Sequence, residues 1–120
     1  MSEKPYIDLS PTISDIKFNN VIMNASGCHC TTDEDLNGLF QSDTCAVISK
    51  SCTYDKHIGN PLPRYYDTES LSINSTGLAN EGYKFYAKYP KQKQENGTPI
   101  KKPYFMSVAG LKPYENIKIL

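Results

Sequence analysis

The segment Cys45-Ala46-Val47-Ile48-Ser49-Lys50 constrains the fold more than any other part of the chain. It is a short, nearly unbroken apolar run that stops at a lysine. A strand with one wet face alternates apolar and polar residues, whereas a run that does not alternate is covered on both faces, as in a parallel sheet. Parallel strands need long crossovers, usually helical, and the flanking sequence supplies them. Upstream, Val21-Ile22-Met23-Asn24-Ala25-Ser26-Gly27 reads as a short strand running into small residues. Thr31 followed by Glu34 makes a capping box, and the spacing of Leu36, Leu39 and Phe40 predicts a helix ending near Ser42. Downstream comes a long loop punctuated by Gly59-Asn60-Pro61, Pro63 and Gly77. Tyr83, Phe85, Tyr86 and Tyr89 mark a second helix from about Asn80, followed by a polar connection, Gln92 to Lys102. Tyr104-Phe105-Met106-Ser107-Val108-Ala109 reads as a third strand ending at Gly110, and Pro113 opens a third helix. Residues 1–17 show no strong period and read as an N-terminal strand or hairpin. The expected class is α/β, with alternating strands and helices around a parallel sheet.

Composition narrows the partners. Thirteen basic and thirteen acidic residues cancel, so the whole-chain field gives no reason to expect nucleic acid or an anionic membrane. The basic run Lys88 to Lys102 is broken by prolines, Glu95, Asn96 and Gly97, and reads as a solvated helix end and loop before a contact surface. The hydrophobic share of 38% includes nine tyrosines, so the core is lean beside the ~45–50% apolar content usual for globular domains. Met1 to Ser10 is polar and acidic, without the apolar stretch of a signal peptide or a membrane span. A cytoplasmic protein with free thiols is expected. Cys28-His29-Cys30 suggests zinc, but Cys-x-Cys is a poor grip. Cys45 and Cys52, an odd number of residues apart, would face opposite ways on a strand. The four cysteines read as buried or half-buried thiols, and His57, in a polar loop, as a surface residue.

All three strands end in residues that are not bulky and apolar: Asn24 to Gly27, Lys50-Ser51, and Ser107 to Gly110. In parallel α/β folds the ligand lies outside the carboxyl ends of the strands. Small residues there admit a flat ring or a phosphate, and a lysine supplies positive charge. Lys50 alone reads equally well as a solvent-exposed strand end, and Gly27 or Gly110 as a turn requirement. The repetition at three strand ends tips the reading toward a site. Two loop segments add to it. Gly59-Asn60-Pro61-Leu62-Pro63-Arg64-Tyr65 is a stiff turn ending in arginine. Ser72-Ile73-Asn74-Ser75-Thr76-Gly77-Leu78-Ala79-Asn80 packs amide, hydroxyl and unhindered backbone donors into nine residues. Such a loop suits a small carboxylate or a carbonyl-rich ring, although ordinary turn chemistry would use the same residues.

These segments, in this order and spacing, resemble the dihydroorotate dehydrogenases. The shared motifs are Met23-Asn24-Ala25-Ser26-Gly27, Lys50-Ser51-Cys52-Thr53, Gly59 to Tyr65, and Ser72-Ile73-Asn74-Ser75-Thr76-Gly77-Leu78. The resemblance runs from about Phe18 to Leu120 and is closest to the soluble, fumarate-using class. It implies the N-terminal part of a (β/α)8 TIM barrel, about three β/α units preceded by a short strand or hairpin. Residues 1–120 would then be an incomplete FMN-binding barrel domain whose remainder lies elsewhere. It implies oxidation of dihydroorotate to orotate in pyrimidine biosynthesis, with hydride passing to FMN and then to fumarate, and a homodimer at full length. Carried over residue by residue, Ala25, Ser26, Gly27, Lys50 and Ser51 contact FMN. Lys50, Asn74, Ser75, Thr76, Gly77 and Leu78 hold the substrate, and Arg64 orders the adjacent loop. The cysteine base of this class belongs to a segment expected beyond Leu120, so no catalytic residue is assigned to this chain, and none of its four cysteines is promoted to the role.

The chain departs from the family where Thr76 stands for methionine, Ala79 for proline and His57 for the arginine often found there. These changes imply altered substrate binding and a pH-dependent charge, not a different reaction. On this reading the isolated chain is unstable and inactive. Two other readings stay open: a non-catalytic interaction module using the Tyr83 to Tyr89 face, and a related FMN barrel oxidoreductase with another substrate.

Overall fold

The computed structural model describes residues 7–97 and 100–120. It begins with the expected hairpin. β1 (Thr12–Ile13) pairs antiparallel with β2 (Ile16–Lys17), with Ile13 opposite Ile16; residues 1–6 of the expected N-terminal element lie outside the described residues. Next, α1 (Asp33–Gln41) starts one residue later than its capping box suggested. Thr32 is the cap: its hydroxyl accepts from Asp35 N–H at 3.1 Å, and the Asp35 carboxylate accepts from Thr32 N–H at 2.9 Å. The tandem Thr31-Thr32 and acidic Asp33-Glu34-Asp35 allow either frame. The chosen one also lets Asp35 take the Thr31 N–H at 3.0 Å, satisfying a further donor at the helix start.

The strand that anchored the sequence reading is β3 (Val47–Ile48), paired parallel with β6 (Tyr104–Phe105), Val47 opposite Tyr104. Regular geometry is shorter than expected, but the parallel contact runs on: Ser49 N–H bonds Phe105 O, Cys52 N–H bonds Ser107 O, and Ala109 N–H bonds Cys52 O, each at 2.9 Å. Ala46, Val47 and Ser49 are fully buried, so both faces are covered, as the absence of alternation required.

The expected strand Val21 to Gly27 does not form, and Asn24 explains why. Its side-chain amide donates to Ile48 O at 2.8 Å and accepts from Ile48 N–H at 2.9 Å. An amide carries the same donor and acceptor as a peptide group. Asn24 therefore takes the ladder position that backbone would occupy, and the main chain turns away, leaving Val21 and Ile22 exposed.

Helix α2 (Tyr83–Glu95) starts three residues after Asn80 and runs through Pro90 into the segment read as a polar connection; residues 98 and 99 of that segment lie outside the described residues. Proline at 90 cannot donate to Tyr86 O four residues back. The Tyr104 hydroxyl, on the paired strand, donates to that carbonyl at 3.1 Å instead. The tyrosines of α2 do not form an outer contact face. Tyr86 and Tyr89 are buried, with Cys30, Leu36, Val47 and Cys52, in the main core. Their hydroxyls donate to Thr31 O (2.8 Å) and Asn37 Oδ1 (2.9 Å), which offsets the desolvation penalty of burying a phenol.

The long loop between β3 and α2 contains an unforeseen antiparallel hairpin, β4 (Tyr65–Asp67) with β5 (Ser72–Asn74), Tyr66 opposite Ile73. Helix α3 (Pro113–Ile119) opens on Pro113 as expected. No described helix is long and apolar enough to cross a membrane.

Candidate ligand-binding site

Burial on both faces of β3 delivers Lys50 to the strand's carboxyl end with only 7% of its surface exposed. Its backbone N–H is fixed to Cys30 O at 2.9 Å. Among the described residues no carboxylate pairs with its ammonium. A buried charge without a partner is costly, so this position calls for an anion or an electron-rich group. Lys50 lines a cavity of about 670 Å³ together with His29, Asp35, Arg64, Tyr65 and Thr76. One wall is the start of α1 and the other is hairpin β4–β5. The two walls meet where His29 Nε2 and the Tyr65 hydroxyl lie 3.2 Å apart, their rings edge to face.

Cys30 lies beside Lys50. Burial pushes its thiol up to about 11, against the opposing pull of the lysine charge. Burial also raises the Cys52 thiol. Both are protonated at neutral pH and are poor bases or nucleophiles. Cys28 is half-buried and also lines the cavity.

The small residues at the strand ends form a second, adjoining feature. Ser26 Oγ donates to Ser49 O at 2.7 Å and lies 3.0 Å from Ser51 Oγ, which lies 2.9 Å from Ser107 Oγ. The segments that follow β3 and β6 and the turn before α1 are thus joined by a chain of hydroxyls. Ser107, not assigned from sequence, is its third member. A Cβ built on Gly27 would meet nothing nearer than Ala25 O at 4.0 Å, so the surface beside the chain is open to a flat group. Ala25, Ser26, Gly27 and Ser51 border this face and not the cavity itself.

The loop expected to hold substrate is divided. Thr76 lines the Lys50 cavity, whereas Asn74 and Ser75 line a depression of about 330 Å³ on the other side of Arg64 and Tyr65. Gly77 and Leu78, with left-handed φ values of 65° and 58°, join Thr76 to Ala79, which also lines the Lys50 cavity. Two turns interlock here. A Cβ on Gly77 would stand 2.7 Å from the Asn60 side chain, and one on Gly59 only 2.2 Å from Thr76 O; both positions need glycine. Asn60 Nδ2 donates to Ser75 O at 2.9 Å, and Arg64 Nη1 donates to Asn60 O at 3.0 Å and to Ile58 O. Arg64 therefore orders the loop through its backbone carbonyls. His57 is half-buried and not a surface residue: its backbone pairs with that of Asn80, and its buried Nδ1 has no hydrogen-bond partner among the described residues. Asn60, Thr53 and Asn80 were not assigned as site residues from the sequence. Their signal, polar residues within a turn-rich segment, does not separate them from ordinary loop residues.

The family profile described as dihydroorotate dehydrogenase matches residues 8–120. Dihydroorotate dehydrogenase A (fumarate) of Lactococcus lactis subsp. cremoris (strain MG1363) is 47% identical over 112 residues, which are 93% of this chain and 36% of that protein. Dihydroorotate dehydrogenase (fumarate) of Lachancea kluyveri is 47% identical over 103 residues, 86% of this chain and 32% of that protein. The enzyme of the same name from Trypanosoma brucei brucei is 41% identical over 104 residues, again 32% of its length. The chain thus spans about a third of the length of these curated relatives. It belongs to the dihydroorotate dehydrogenase family, and within that family it resembles the fumarate-linked members.

Proposed function

We propose that this chain is the N-terminal part of an FMN-binding (β/α)8 barrel that oxidises dihydroorotate to orotate and passes the electrons to fumarate. The observation that carries this reading is the ammonium of Lys50, unpaired among the described residues, buried at the end of a parallel strand and lining a cavity with Thr76. The groups present suit FMN: a fixed positive charge, a row of hydroxyls and a flat opening at Gly27. Ala25, Ser26, Gly27, Lys50 and Ser51 would hold the flavin, and Lys50 with Asn74 to Leu78 the substrate. When bound, FMN supplies a two-electron acceptor for the substrate hydride.

Lys50 contributes charge. Its ammonium stabilises negative charge that builds on either bound partner, and its burial keeps that interaction unscreened by water. The loop contributes orientation, through its backbone N–H groups and the left-handed turn at Gly77 and Leu78. Cys30 and Cys52, held protonated, leave the proton abstraction to a base outside these residues. The whole protein is proposed as a cytoplasmic homodimer, without nucleic-acid or membrane partners.

Anaerobic mixing of dihydroorotate with the flavin-loaded, full-length protein is expected to bleach the flavin's visible absorbance. Lys50→Ala should abolish the bleaching in a protein that still folds. Reduction of that variant at close to the parental rate overturns the assignment.

A further inference from the structure

We propose that Asn80 is the positioning residue that registers the substrate loop Asn74 to Leu78 against the end of the Lys50 strand. The inference rests on the dihydroorotate reading above and deepens it, because the register decides where the loop's donors meet the cavity.

Asn80 is 2% exposed and Thr53, three residues beyond Lys50, is equally buried. Asn80 Oδ1 accepts from Thr53 N–H at 3.1 Å and from Gly82 N–H at 2.9 Å. Asn80 Nδ2 donates to Leu78 O at 2.8 Å and to Thr53 Oγ1 at 3.1 Å. The backbone of Asn80 exchanges both hydrogen bonds with His57, at 2.9 and 3.0 Å. The amide orientation is fixed by its surroundings. Turned over, it would set its NH₂ group against two backbone N–H donors. Thr53 Oγ1 spends its own proton on Asp55 O at 2.5 Å and so serves the amide as an acceptor. All four hydrogen-bonding positions of the side chain are therefore used, and one side chain ties together the strand end, the loop and the entry to α2.

The bond to Leu78 O bears on function. Leu78 has φ 58°, a conformation disfavoured for a residue with a branched side chain. Nothing intrinsic to leucine holds it there; the Asn80 amide grips its carbonyl from two residues on. With that of Gly77, this conformation makes the turn between Thr76 and Ala79, both of which line the Lys50 cavity, and so sets how the loop enters it. Ala79, beside Asn80, does not fix its own φ as a proline would, which leaves the amide to hold this shape.

Asn80→Asp tests the idea, because it keeps both acceptors and removes both donors. The full-length, flavin-loaded protein is used, with orotate binding read from the perturbation of the flavin spectrum. At about pH 8 the orotate dissociation constant is expected to rise about tenfold or more, while bound flavin per protomer stays at the parental level. Lowering the pH toward about 6 should narrow the ratio of variant to parent, since a buried carboxyl that regains its proton recovers one donor. Orotate affinity equal to the parent's, a ratio that does not change with pH, or a parallel loss of flavin each overturns the proposal. If Asn80→Asp does not accumulate as folded protein, Thr53→Val replaces it. That variant removes one acceptor of the amide and should weaken orotate binding several-fold with flavin retained; unchanged binding overturns the proposal equally. A parent that does not bind orotate sinks the underlying reading and this inference with it. A parent that binds and a variant that binds as well sink the inference alone.

Discussion

Pro90 and Tyr104 show how one residue's deficiency is made good by another far away in sequence. The proline leaves Tyr86 O without its helical donor, and the Tyr104 hydroxyl fills the vacancy at 3.1 Å. Tyr104→Phe should therefore destabilise the full-length protein by about 1–3 kcal/mol, the cost of a half-buried carbonyl left unsatisfied. Adding Pro90→Ala should restore much of that loss, because the new N–H reaches the same carbonyl. Thermal unfolding of the four members of this double-mutant cycle gives the coupling; additive effects would remove the link. The phenol adds a pH signature. Burial pushes it up to about 12 from an ordinary 10.0. The folded protein thus binds this proton more tightly, and the contribution is complete below pH 10 and declines as pH rises toward about 12. The decline should be shallower in Tyr104→Phe. Neither residue's role was readable in the sequence, because the hydrogen bond that links them joins positions 18 residues apart. Lys50, by contrast, stands out in the sequence as the end of an apolar run. The sequence alone left it equally open to solvent, and only the fold shows it buried.

Among the elements, legibility followed the range of the interactions that fix them. The parallel character of β3 was visible because burial on both faces leaves a direct mark on composition. Helix α3 was visible because proline marks its own position. The segment Val21 to Gly27 looked like a strand and is not one, because a side chain, Asn24, takes the place of backbone pairing. Hairpin β4–β5 was hidden among turn signals, its residues exposed and without the alternation that a buried face imposes. The site followed the same rule. Lys50 and Thr76 line one cavity, while the division of Asn74 and Ser75 from Thr76 depends on the interlocked turns at Gly59 and Gly77. At α1 the capping frame was ambiguous by one residue, and the choice is measurable. Thr32→Ala removes the side chain that accepts from Asp35 N–H and should lower stability by about 1 kcal/mol. Thr31→Ala removes only a 3.4 Å contact to Cys28 O and should cost a small part of that. Denaturant midpoints of the two variants compared with the parent decide between the frames; equal losses would argue against Thr32 as the cap.

At the scale of the molecule, the described residues bury one good core and leave a second one open. Tyr86, Tyr89, Leu36 and Val47 are sealed between α1, α2 and the β3–β6 pair. On the other side, Ile13, Ile16, Phe18, Val21, Met23 and Phe105 line an apolar groove of about 490 Å³. Ile13, Val21 and Ile22 are each more than 60% exposed. Strands β3 and β6 pair only with each other among the described residues, and a two-stranded sheet is marginal in water on its own. Open edges and a wet apolar groove are the features that neighbouring strands of a closed barrel would cover, in agreement with the proposed incomplete domain. The chain produced alone at its 120 residues should accordingly bind a hydrophobic dye such as ANS, self-associate, and unfold over a broad temperature range. It should also hold FMN poorly and fail to turn over dihydroorotate. Sedimentation velocity, dye fluorescence and calorimetry on this preparation test the expectation together. A monomeric, dye-silent chain that binds FMN and melts in one sharp transition would mean that the groove is a finished surface of a self-sufficient unit. The case for a barrel completed by further sequence would then have to be given up.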